Sequence, residues 1–157
     1  MDKKKSLVDA SELTQIIKDL YKFIRSIDVG CAWHNEYLEP DEIPCICFKR
    51  QSVQVEKLNA NIKGSYEAEL PFDVYYRNEV KDTKQTMEII DVLNNLADIF
   101  ERETDNDFKK LIMSNDRIIP VSLEMTETPA DESGIENNKA TFRAAYKFRY
   151  KKKGDFE

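Results

Sequence analysis

Four glycines and five prolines in 157 residues leave too little turn-forming material for a linker-rich or collagen-like chain. Three cysteines cannot all pair with one another, so a disulfide framework is not expected and reduced thiols inside a cell are. No apolar run approaches the roughly 20 residues of a membrane span. Met1–Ser6 leads straight into charged residues without an apolar core or a small-residue cleavage site, so no secretory signal is expected. The glycines (Gly30, Gly64, Gly134 and Gly154) are isolated, which excludes a glycine-rich phosphate loop.

What the chain does have is aromatic and charged. Eight Phe, seven Tyr and one Trp supply packing material that a disordered chain would not carry. The length predicts one domain, 1–157, with flexible ends at 1–9 and 152–157. Charged residues make up 34% of the sequence, well above the usual figure of about 25%. The net charge of −6 is uneven: residues 139–153 carry +7, which leaves −13 for the rest. That overall acidity disfavours a general nucleic-acid binder, which needs a broad basic footprint.

Apolar periodicity predicts a helix over 10–27, where Leu13, Ile16, Ile17, Leu20, Phe23, Ile24 and Ile27 form one stripe. Asp9 and Glu12 have capping-box spacing at its start. Residues 29–50 are expected to be mostly irregular, with a turn at Pro40–Pro44 and a short strand at 43–49 buried on both faces. The alternation of Tyr66, Ala68, Leu70, Phe72, Val74 and Tyr76 with polar residues gives the clearest strand. Pro71 within it should turn its amide side to an edge or a bulge. A second helix is expected over 82–103, with Met87, Ile90, Leu93, Asn94, Ala97 and Phe100 on one face, Ile89, Leu96 and Ile99 widening it, and an unfavourable acidic patch at its end. Phe108–Met113 is helix or strand by sequence alone. A strand at 117–125, an exposed loop at 126–138 and a last strand at 140–150 follow. The order predicts an α+β fold: a mostly antiparallel sheet of four to five strands with two main helices on one face.

Little of this points to chemistry. Cys31, His34, Cys45 and Cys47 are the one conceivable metal cluster, but their Cys-x-x-His and Cys-x-Cys spacing departs from zinc-ribbon knuckles. Cysteines packing as small buried hydrophobes account better for the pattern, so no metal or other cofactor is expected. Glu67, Glu69 and Asp73 lie on the polar face of one strand, where solvent or a subunit is the default neighbour, and no enzymatic activity is expected. Arg143, Lys147, Arg149 and Lys151 project from one face of the last strand, opposite Phe142, Tyr146, Phe148 and Tyr150. Aromatics on a buried face cannot stack on bases, so an RNA-recognition sheet is not indicated.

The run Arg117–Met125, the following Thr128-Pro129-Ala130, the acidic loop and Lys139–Tyr150 resemble the minor capsid and tail-terminator proteins of long-tailed bacteriophages and prophages. The element order over nearly the whole chain is similar as well. The resemblance implies a structural protein of the virion tail or neck, assembled in the host cytoplasm. Six copies would form a ring that caps the tail tube, stops its polymerisation and joins the head connector. DNA would pass through that ring without sequence-specific binding, and neither membrane nor cofactor would be involved. On that reading Arg143, Lys147, Arg149 and Lys151 face a neighbouring subunit or the channel. Glu127, Asp131, Glu132 and Glu136 then sit on a loop turned to the tube or connector. The competing class is a monomeric binding module or inhibitor encoded by a mobile element, which would not form a closed ring.

Overall fold

A computed structural model describes residues 6–154. Helix α1 spans Ala10–Arg25 and buries Ile16, Leu20, Phe23 and Ile24, the predicted stripe. Asp9 is its N-cap residue but makes no side-chain cap bond, and the Glu12 side chain turns instead to the Tyr66 hydroxyl. Strand β1 (Trp33–Asn35) runs parallel to β2 (Cys45–Arg50), and β2 runs antiparallel to the long strand β3 (Tyr66–Glu79). Helix α2 (Thr83–Asp105) follows β3 after an Asp82 cap whose carboxylate accepts the Gln85 amide. Strands β4 (Ile118–Asp131) and β5 (Lys139–Lys152) form a final hairpin. The sheet order is β1-β2-β3-β5-β4, so β5 lies between the two strands that α2 connects. This is the expected α+β fold, two helices with a mostly antiparallel sheet.

Both helices meet the face built from the even-numbered residues of β3 and β5. Phe72 stacks on Tyr146 with centroids 5.5 Å apart, and Phe100 of α2 meets both rings edge-on. Phe23 of α1 reaches Phe100, and Tyr21 reaches Phe48 of β2. The buried side of α2 is Ile89, Leu93, Leu96, Phe100 and Glu103, which keeps the widened edge of the expected face, while Met87 on its other edge stands exposed. Pro71 behaves as its missing donor requires. Its carbonyl accepts the Gln51 amide just where β2 has ended, so the absent N–H removes no bond to β5.

Several connections differ from the sequence reading. Strand β1 lies within the stretch expected to be irregular. The exposed loop is shorter than 126–138, because β4 continues to Asp131 across three register shifts. Beyond it Asn137 and Asn138, both at positive φ, make a two-residue hairpin tip, and Glu136 and Lys139 exchange backbone bonds of 2.9 Å. Phe108–Met113 is neither helix nor strand. Glu103, part of the patch judged unfavourable, is buried and accepts the amides of Lys110 and Leu111, which fixes that segment. The ends are less free than expected within the described residues. Leu7 bridges Glu56, and Gly154 is buried so closely against the Lys63 carbonyl that a Cβ there would lie 1.9 Å from it. Residues 1–5 and 155–157 of the predicted flexible ends lie outside the described residues.

The buried tyrosines set a pH limit. Burial pushes the hydroxyls of Tyr66, Tyr146 and Tyr150 well above their ordinary value of 10.0, and for Tyr66 the bonded Glu12 carboxylate adds to the effect. A folded-state value raised above the unfolded one gives stability that is complete below pH 10 and falls as pH rises beyond it. Denaturant midpoints should therefore hold level from neutral pH to about 8 and begin to fall at about 9 through the thiols of Cys31 and Cys47, which burial raises from an ordinary 9.0. They should fall more steeply above about 10, through the tyrosines. Tyrosinate absorbance from these three rings should appear only together with unfolding.

Candidate functional site

The helices leave the other face of the sheet uncovered, and on it the odd-numbered residues of β3 and β5 form a ladder of charge. Arg143 donates to Glu127 at 2.6 Å and pairs with Asp73 at 3.0 Å. Asp73 is buried and also accepts the Gln51 amide group at 2.9 Å. These two carboxylates, Asp73 foremost, hold the Arg143 guanidinium above its ordinary range. Lys147 sits between Glu69 and Glu124 at 3.5 and 3.6 Å. Arg149 pairs with Glu67 at 3.2 Å, while its Nε is buried without a partner among the described residues. Asn59 donates to the same Glu67 at 2.6 Å, and with Arg149 it holds that carboxyl below its usual value. Exposed pairs of this kind contribute little each, but Asp73–Arg143 is largely withdrawn from water.

This pairing bears directly on the basic residues expected to face a neighbour. Arg143, Lys147 and Arg149 already have carboxylate partners within their own chain. Lys151 is exposed and lies directly across from Glu67, whose carboxyl its charge helps to hold down, but it makes no salt bridge among the described residues. The acidic residues divide in the same way. Glu127 belongs to β4 and is bound to Arg143, not to a loop. Asp131 accepts the amides of Ser133 and Gly134 and shapes the turn. Glu132 and Glu136 are exposed at the hairpin tip, beside the exposed Ile135. The free charges thus lie at opposite ends of β5: acids at the tip, and Lys151 with Lys153 at the foot. Sequence spacing groups all four cations together, because the acids that claim three of them come from other strands.

Of the Cys/His group, His34 and Cys45 come together, joined by Glu42, which the sequence reading did not single out. Cys47 is buried two positions along β2, and Cys31 is half-buried at the edge of the core. Burial pushes the thiols of Cys31 and Cys47 up to about 11 and about 12, the reverse of an activated nucleophile. A cleft of about 410 Å³ between the C-terminal ends of the helices is lined by Phe23, Ile99, Arg102 and Glu103. Its buried carboxylate is already taken by the two backbone amides of the 110–111 segment. Among the described residues no helix is long and apolar enough to cross a membrane.

Comparison with known proteins places the fold. No family profile matches the sequence, and no curated protein matches it. Among solved structures, the chain is similar to one chain of the virion of a native gene transfer agent particle. The TM-score is 0.61 at 11% identity, covering 91% of this chain and 99% of that one. The two chains share a fold. At that identity the likeness concerns backbone architecture, over essentially the full length of the virion chain.

Proposed function

We propose that this chain is a structural subunit of a phage-like particle and, more narrowly, the ring that terminates its tail. The observation that carries the reading is the end-to-end likeness of fold to a chain of a gene transfer agent virion. A sheet face bare of helices and a hairpin with unlike charge at its two ends support an assembly role. A ring requires a heterologous contact, in which two different patches of each subunit meet and the rotation closes. The acidic tip of one subunit, with Glu132 and Glu136, would meet the basic foot of the next, with Lys151 and Lys153. Along β5 these ends are roughly 40 Å apart at the usual strand rise, far beyond the Debye length of about 8 Å. They therefore do not neutralise each other within one subunit. The ring would then present one side to the tail tube protein and the other to the head connector, with DNA crossing its lumen unread.

Native mass measurements across concentration, with purified tail tubes added, test this reading. Closed rings of six are expected, alone or on tube ends. Lys151→Glu with Lys153→Glu should prevent closure, as should Glu132→Lys with Glu136→Lys, and the four changes combined should restore it. A dimer at every concentration, or a failure to cap added tubes, would overturn the terminator reading. Rings indifferent to both charge reversals would overturn the tip-to-foot contact alone.

A further inference from the structure

At the free edge of the sheet the chain assembles three donors of different chemistry. His34 of β1 pairs in register with Cys47 of β2, so its ring lies on the bare face, beside the same-facing Cys45. Glu42 arrives from the turn before β2. That turn is anchored by Arg77, which donates to the carbonyl of Glu39 and, at 2.9 Å, to that of Glu42. A His34 ring nitrogen, a Glu42 oxygen and the Cys45 sulfur all lie within 4.8 Å of one another, and the His34 Nε2 is 3.1 Å from Glu42.

We propose that His34, Glu42 and Cys45 form a site for a zinc-class divalent cation, with water in the fourth position. A tetrahedral zinc ion with bonds of about 2.0–2.3 Å sets its ligands roughly 3.3–3.7 Å apart. The His34–Glu42 pair is already inside that spacing, and the remaining separations need to close by about 1 Å at most. With the thiolate and carboxylate ionised and the imidazole neutral, the set carries the two negative charges that a divalent cation balances. Thiolate and imidazole select zinc over magnesium or calcium, which prefer all-oxygen sites. With Cys45 fully buried and its partners half-buried, the ion would keep one water-accessible position while clamping β1 and the 36–44 turn to β2. This revises the expectation of a chain without metal, and it reassigns the ligands: Glu42 enters and Cys47 does not.

Chelator-stripped full-length protein titrated with Co²⁺, then competed with Zn²⁺, tests the site. The expected result is one equivalent per chain, a near-ultraviolet thiolate-to-cobalt band, and loss of that band on adding zinc. His34→Gln and Glu42→Gln, both at partly exposed positions, should lower zinc affinity at least ~10-fold, the scale seen even for outer-sphere partners. Cys45→Ser should remove the band and Cys47→Ser should keep it. Absence of the band in the native chain, its survival in Cys45→Ser, or unchanged affinity in both the His34 and Glu42 variants would overturn the proposal.

Discussion

Glu12→Ala should cost about 3–5 kcal/mol, the range found when one partner of a buried charged cluster is removed. The Glu12 side chain is 8% exposed and pairs with Lys152 at 2.6 Å. Its two oxygens also accept the Tyr66 hydroxyl at 2.7 and 2.6 Å, and one accepts that of Tyr150 at 3.2 Å. A single carboxylate therefore joins α1 to β3 and β5. Alanine would leave two buried hydroxyls and an ammonium group without it, each at a desolvation penalty. Urea denaturation should show an earlier midpoint with little change in slope, because the surface exposed on unfolding is the same. Glu12→Gln should lose less, since an amide oxygen still accepts one hydroxyl. A loss below about 1 kcal/mol in the alanine variant would mean that the cluster is no more than an exposed ion pair.

The second large effect concerns Arg143→Glu, expected to destabilise the fold by about 3 kcal/mol. The change sets a carboxylate beside buried Asp73 and against Glu127, and removes the cation both depend on. Pairing Arg143→Met with Asp73→Asn should recover most of the loss, because it removes the burial cost of both charges together. Chemical denaturation of the single and double variants gives the coupling energy. If Arg143→Glu keeps native stability, the pair is not structurally important and the residue is free to serve an interface. If stability falls as expected, loss of assembly on reversing Arg143 would report damage to the sheet. Lys153, Glu132 and Glu136 are the positions at which charge reversal tests assembly cleanly, since a carboxylate at position 151 would stand directly across from Glu67.

Regular alternation made β3 and β5 legible, and the apolar stripe did the same for α1. Where the period breaks, so did the reading. The far half of β4 carries register shifts at Met125/Glu127 and Glu127/Ala130, and each shift moves the alternation out of phase. Proline and acids there then resemble a loop. The three residues of β1 are too few to show any period. Glu12 illustrates a different limit. Its spacing from Asp9 is that of a local cap, yet its partners lie 54 and 138 positions away. The same applies to the charge ladder, whose cations share a strand while their acids do not. Glu42 was hidden inside a proline-flanked turn, and only the parallel pairing of β1 with β2 brings His34 to it.

The ladder also bears on alignment errors during folding. Three cations of β5 each bind an acid two positions from the residue directly across from them. Arg143 faces Tyr75 but binds Asp73, Lys147 faces Pro71 but binds Glu69, and Arg149 faces Glu69 but binds Glu67. Sliding β5 by one residue would carry every cation under the helices, which burial forbids. Sliding it by two in one direction would set these three pairs face to face, although Lys139 would then leave Glu79 and face Arg77. What rejects that second alignment is the opposite side of the sheet, where Phe72 would lose Tyr146 and face Ala144. These three salt bridges thus permit two pairings of the strands, and the rings, together with Lys139 against Arg77, choose between them.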